Sequence, residues 1–170
     1  MTRRVPNLNL LLLLTLVKIS GGFPNGAPYS MCGYYKPSHA TPEPHPHNTS
    51  PYRLIVSAQY FDFREPEHDY VVVNITSREG GPPFKGFVVA SYDGSGKPYG
   101  SWDPSPLAHQ VPRCKKPAIT HNDAMPKYLT TLVWRPPKDE QQEWGWLQFR
   151  ATVVKDLHNF WSELPHEVLM

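Results

Sequence analysis

An antiparallel β-sandwich is the fold class this sequence predicts, and three observations carry it. Short runs rich in β-branched and aromatic residues recur along the chain, divided by turn-forming clusters. Proline and glycine, 20 and 11 of the 170 residues, punctuate it throughout. No long stretch repeats its apolar residues at the 3.6-residue period of an amphipathic helix. Strands of this length bury their apolar faces by stacking one sheet on another.

The chain opens on a secretory leader, read as residues 1–22. Arg3 and Arg4 supply a positive start, Leu8 to Val17 is apolar but for Asn9 and Thr15, and the small residues Ser20, Gly21 and Gly22 follow. The run is too short to span a bilayer, which takes about 20 apolar residues. Cleavage is expected before Phe23, leaving one domain over 23–165. The leader holds three of the 17 basic residues and none of the 15 acidic ones, so the remaining 148 residues carry a net charge of −1. That balance argues against a nucleic-acid partner, which would want a basic patch and a high domain pI. No second apolar stretch reaches membrane length, so no membrane span is expected.

Phe23 to Ser50 is proline-rich and is expected to be irregular, since proline fixes φ and removes backbone donors. Strands are then expected at Tyr52–Tyr60, Asp69–Thr76, Phe84–Tyr92, Ile119–His121, Tyr128–Trp134 and Trp144–Lys155. In the first, Leu54, Val56 and Ala58 share a face. In the second, inward Val71, Val73 and Ile75 turn Asn74 outward. In the last, Leu147, Phe149, Ala151 and Val153 alternate with Trp146, Gln148 and Arg150, a half-buried pattern. Asp93-Gly94-Ser95-Gly96 marks a turn. Phe84 and Phe87, three residues apart, are assigned to opposite faces, with Gly86 permitting a close approach or a bulge. Asn159–Leu164 is expected to form a helical turn.

Cys32 and Cys114 are the only cysteines. They can form a bridge, remain free thiols or hold a metal. An oxidising compartment favours the bridge, and two cysteines without CxxC spacing make a poor zinc site. Asn48-Thr49-Ser50 and Asn74-Ile75-Thr76 are glycosylation sequons, the first weakened by Pro51.

The chain carries no G-x-S-x-G elbow, P-loop or HExxH, and no nucleophile–base pair is visible, so neither an enzyme nor a cofactor is expected. Asp62, Glu65, Glu67 and Asp69, around His68, read as a solvated loop. His39, His45 and His47 read as an exposed polar loop rather than a metal site, and His121 as a structural ring near a strand end. Among the five tryptophans, Trp144 stands at a turn-to-strand junction, where an exposed ring can stack on a sugar or cover a sheet edge. Arg113, Lys115, Lys116 and Lys127 form a local basic patch.

Phe23-Pro24-Asn25-Gly26-Ala27-Pro28, Cys32, Pro37-Ser38-His39, Pro51-Tyr52, Phe84-Lys85-Gly86-Phe87, Cys114, Ala118-Ile119-Thr120-His121, Trp134-Arg135-Pro136-Pro137, Ala151-Thr152-Val153-Val154 and Phe160-Trp161 follow one another in order. In this order and spacing the chain resembles a Reeler (reelin N-terminal) domain, most closely the small stand-alone secreted proteins described in insects as defence proteins. The resemblance implies an immunoglobulin-like sandwich and a Cys32–Cys114 disulfide. It also implies extracellular binding of microbial surface glycans or lipopolysaccharide in innate immunity. The other implied role is a matrix or cell-surface adhesion module that binds protein or glycosaminoglycan. Oligomeric state is left open.

Overall fold

In the computed structural model, residues 22–33, 36–37, 43–65, 69–137 and 143–169 are described. The expected leader, except Gly22, lies outside them, as do His39, Glu67 and His68. The described chain is all-β, with 3-10 turns only at Tyr29–Met31 and His47–Thr49. Its strands are β1 (Tyr52–Val56), β2 (Tyr60–Asp62), β3 (Val71–Ser77), β4 (Gly86–Asp93), β5 (Ser101–Trp102), β6 (Ala108–Gln110), β7 (Ala118–His121), β8 (Leu129–Arg135), β9 (Trp144–Val154) and β10 (Phe160–Val168).

Two sheets share one seam. The first runs β5-β8-β3-β1 and the second β9-β4-β7-β6, with β10 hydrogen-bonded to β1 on one side and β9 on the other. Strand β10 divides its pairing. Phe160 to Pro165 lie against β9, whereas His166 to Val168 lie against β1. Between them the register slips from Trp161 to Leu164, with Glu163 at φ 57°. Such a bulge bends the strand and lets it leave one sheet for the other. The expected helical turn at Asn159–Leu164 is therefore corrected to a bulged strand. The antiparallel expectation is corrected in one place as well. Strands β1 and β10 run parallel, with Leu54 beside His166, because β10 crosses to β1 from the far sheet. At the opposite margin the Gln110 side-chain amide donates to Trp102 O at 3.0 Å, tying edge strands β5 and β6.

The inward faces meet in one core. Leu54, Val73, Ile75, Leu132 and Trp134 come from one sheet and Phe87, Val89, Phe149, Ala151 and Val153 from the other. Trp134 and Phe149 cross edge to face at 5.9 Å, the geometry aromatic quadrupoles favour. The period-2 assignments of β1, β3 and β9 hold. Phe84 and Phe87 do not lie on opposite faces as expected. Both are in the core, 6.3 Å apart edge to face. Phe84 precedes β4 and pairs with Lys127 in an isolated bridge, so strand parity does not extend to it.

The segment before β1 is strapped across the outside of the second sheet. Cys32 and Cys114 are joined, with Cα atoms 5.6 Å apart across 82 residues of sequence. Ala27 N donates to Thr120 Oγ1 at 2.9 Å, and Ala27 and Met31 pack on Val88, Val111 and Ala118 in a second, smaller core. His121 fastens the strap's start. Its Nδ1 accepts from Phe87 N at 3.1 Å, and Nε2 donates to Phe23 O at 3.1 Å. Gly86 leaves room for that ring, since a Cβ there would stand 2.9 Å from it.

Burial pushes His121 below the ordinary histidine range, against the carbonyls of Phe87 and Phe23 that favour the cation. Burial does the same to His166, whose Nδ1 accepts from Phe149 N. Both rings titrate near 6.5 when unfolded. Below that pH the unfolded chain binds more protons than the folded one, so stability is full above it and falls as the pH drops. The depressed carboxyl of Glu167, bonded to Arg53, acts in the same direction only below its unfolded value of 4.5. The melting temperature is therefore expected to be lower at pH 5.5 than at pH 7.5, and His121→Gln should shrink that difference. An equal or higher value at pH 5.5 would refute this.

Candidate functional site

The two exposed tryptophans stand where β9 begins. Alternation along β9 points Trp144, Trp146 and Arg150 outward, while Gly145, Leu147, Phe149 and Ala151 are buried. Trp144 and Trp146 are 49% and 53% exposed, both far above what a core indole shows. Two residues apart on one strand, they stand about 7 Å from one another along it. The short strand β2 holds this end of β9 in place, pairing Tyr60 with Trp146 and Asp62 with Trp144. The Tyr60 ring meets Trp146 edge to face at 6.0 Å.

Below the indoles is a cleft of about 620 Å³. Its floor includes Phe61 and Tyr99, stacked at 5.8 Å and continuous with the core through Trp134. Its rim is polar, with Asp93, Ser95 and Glu143. The turn Asp93–Gly96 is shaped by the Asp93 carboxylate, which accepts from Ser95 N at 2.8 Å, Ser95 Oγ at 2.7 Å and Lys97 N at 2.9 Å. Slight desolvation raises the Asp93 pKa, but these donors more than offset it and hold the group below its usual range. Gly94 lets the turn approach the indole, since a Cβ there would lie 3.3 Å from Trp146 Cβ. Further along the same face the Arg150 guanidinium lies over the Tyr92 ring at 5.5 Å. Apolar ring faces flanked by carboxylate and hydroxyl groups suit a ligand with C–H faces and hydroxyl edges, as a sugar has.

The other site candidates lie elsewhere. Arg113, Lys115 and Lys116 are exposed around Cys114 in the β6–β7 connection, with Arg113 at φ 60°. None of them lines the aromatic cleft. Lys127 is not part of that patch. Its side chain is 7% exposed, and the ammonium donates to Asp123 Oδ1 at 2.7 Å and to the carbonyls of Asp123 and Met125 at 2.8 Å. Asn48 is exposed on a 3-10 turn, while Ser50 of its sequon is buried and accepts from Tyr52 N at 3.0 Å. Asn74 is half-buried, its Oδ1 accepting from Thr131 Oγ1 at 2.8 Å on the outer face of the first sheet. His45 is exposed, with its ring 5.0 Å from Trp161. Asp62 is buried and paired with Arg64 at 2.6 Å, so the acidic cluster is not one solvated loop. No group of three metal-ligating side chains converges among the described residues. Trp146 was legible only as an outward residue. The signal for its role was the Trp-Gly-Trp spacing, which puts two indoles on one strand face.

Two sheets seamed by a bulged strand, strapped by a disulfide and bearing an open aromatic cleft, define a class of small β-sandwich modules. The chain belongs to the Reeler domain family, whose profile matches residues 30–170. It is similar to Putative defense protein 2 of Antheraea mylitta, at 26% identity over 155 residues covering 86% of this chain and 89% of that protein. Hdd11, a like-named protein of Hyphantria cunea, is 29% identical over 150 residues, 84% of each chain. Ferric-chelate reductase 1 of Bos taurus is 29% identical over 93% of this chain, which spans only 26% of that protein's length. Among solved structures, the human F-spondin reeler domain (fragment 1) matches with a TM-score of 0.55 at 12% identity, covering 78% of this chain and 94% of that one. The Reelin-N domain of F-spondin gives 0.54 at 12% identity over 70% and 85%. At that identity the structural likeness is one of fold. No helix among the described residues is long and apolar enough to cross a membrane.

Proposed function

We propose that this chain is a secreted binding protein of innate defence that recognises microbial surface glycans through the Trp144–Trp146 cleft. One observation carries the reading: two half-exposed indoles on one strand face stand over a cleft rimmed by Asp93, Ser95 and Glu143. The names of the insect relatives support the defence role. The leader over residues 1–22, the disulfide and the two sequons support secretion. In this reading the sandwich is an immunoglobulin-like frame that presents the cleft, and the work is binding rather than catalysis.

The test is retention on intact bacteria, lipopolysaccharide and β-glucan, compared with a sandwich protein of the same size. The native chain should be enriched on at least one of these. Trp144→Ala combined with Trp146→Ala should lower retention by about tenfold or more, as loss of two aromatic anchors does. Both side chains are exposed, so the variant's melting temperature should stay near that of the parent. Absence of enrichment, or full retention by the double variant, would sink the reading. The alternative, adhesion to matrix or cell-surface protein or glycosaminoglycan, rests on Arg113, Lys115 and Lys116, which stay exposed after Lys127 is removed from the patch. Heparin chromatography separates the two, since elution at or below physiological salt counts against the basic patch.

A further inference from the structure

A second cavity lies at the other end of β9, under the strap. It is an open cleft of about 690 Å³ and shares no lining residue with the aromatic cleft. Trp146 and Val154 are eight residues apart on β9, about 26 Å along the strand. Along this face β9 changes character. Trp144, Trp146 and Arg150 meet solvent, but Thr152 is buried and Val154 half-buried. The cavity continues the small core beneath the strap. Met31 and Val88 belong to both, and Phe23, Val154 and Leu157 extend the apolar wall. A volume of this size sits inside the range of about 300–1,000 Å³ that small-molecule pockets occupy.

The charged groups at the mouth are asymmetric. Asp156 lines it, but its carboxylate is turned to its own loop, accepting from His158 N at 2.9 Å, Asn159 N at 2.9 Å and Asn159 Nδ2 at 2.9 and 3.0 Å. Lys85 is exposed and forms no ion pair with the described residues. Cleavage before Phe23 would place that residue's α-ammonium at the same mouth. An apolar cleft with Lys85 unspent at its opening, beside that ammonium once cleavage has occurred, complements a long apolar chain that ends in an anion.

We infer that the cavity beneath the strap binds a long-chain fatty acid, with its alkyl chain against Met31, Val88, Val154 and Leu157 and its carboxylate at Lys85. This site is separate from the glycan cleft and does not depend on it. Gly26 lies so close to His121 O, 2.6 Å from where a Cβ would be, that the strap follows one path over the sheet.

The test uses protein recovered from the medium of cells that express the full chain. It is titrated with cis-parinaric acid, a fluorescent fatty acid, and with the methyl ester of that acid. The acid should give a saturable rise at one site. Lys85→Glu should weaken the acid by about tenfold and the ester by less than about twofold, as removal of one charge-assisted contact does. Val154→Trp, which fills the chamber, should weaken both by about tenfold or more. If that variant does not melt cooperatively, Ala124→Trp at the exposed lining takes its place. The Trp144→Ala, Trp146→Ala variant should bind the acid as the parent does, so failure of the glycan reading leaves this outcome separate. No saturable rise overturns the inference, as does equal binding of acid and ester unaffected by Lys85→Glu, or loss of acid binding in the tryptophan variant.

Discussion

Replacing Cys32 and Cys114 by serine is expected to remove about 4–5 kcal/mol of stability, the loop-entropy value for a closure of this length. The two cysteines are 82 residues apart, so the bridge constrains about half the chain in its unfolded state. A domain of this kind has about 5–15 kcal/mol in total, so the variant should sit close to its unfolding threshold at body temperature. The loss should also be local. Without the bridge, the strap retains Ala27 N to Thr120 Oγ1, His121 Nε2 to Phe23 O and the packing of Met31. These contacts are few, so the strap should detach before the sheets melt. Urea unfolding of the parent, the reduced parent and the double variant gives the number, and limited proteolysis within residues 23–33 reports the strap. The reduced parent and the variant should coincide. A variant within about 1 kcal/mol of the oxidised parent would refute the role of the bridge.

Gly100→Ala is expected to cost about 2–5 kcal/mol, from a left-handed backbone and a steric collision together. Gly100 has φ +77°, and a Cβ there would stand 2.2–2.4 Å from the Trp134 indole. That indole cannot yield, because it is fully buried, donates to Tyr99 O at 3.1 Å and packs on Phe61 and Phe149. Gly96 supplies the control. Its φ is +83°, but no atom lies within 4 Å of its would-be Cβ. Gly96→Ala should therefore cost only the backbone share, about 1–2 kcal/mol. Equal losses in the two variants, measured by denaturant midpoint at constant slope, would show that the indole collision adds nothing.

The sequence made the long strands legible because alternation survives wherever one face is buried and the other is wet. Val71, Val73 and Ile75 against Asn74 is one instance, and Leu147 to Val153 on β9 is another. It concealed β10 for a physical reason. Phe160, Trp161, Ser162 and Leu164 are all buried, Pro165 interrupts, and the bulge at Ser162–Glu163 resets the parity. A strand that serves two sheets cannot display one period. Strands β2, β5 and β6, of two or three residues, are too short to show any period. The same limit misled the assignment of Phe84, which lies beyond the start of β4. Of the site, Trp144 was legible from its junction. Its partnership with Asp93 and Tyr99 was not, because the β4–β5 turn reaches the cleft only through the pairing of β4 with β9. Lys127 read as surface charge because its three oxygen partners, on Asp123 and Met125, come from the turn before it, and its backbone is held by the bridge to Phe84.

The seam formed by β10 also sets the order in which the molecule can assemble. Each sheet can begin from pairs joined within the chain, such as β1 with β3 and β6 with β7. Neither can be paired to the other until β10 arrives, since among the described strands it alone forms ladders with both β1 and β9. Its contact with β1 joins Leu54 to His166, nearly the full length of the domain. Contacts of such separation place β-sandwich folding on the slow scale, about milliseconds to seconds. A nascent chain emerging from its N-terminus thus holds two open half-shells, with their apolar faces uncovered, until β10 is free.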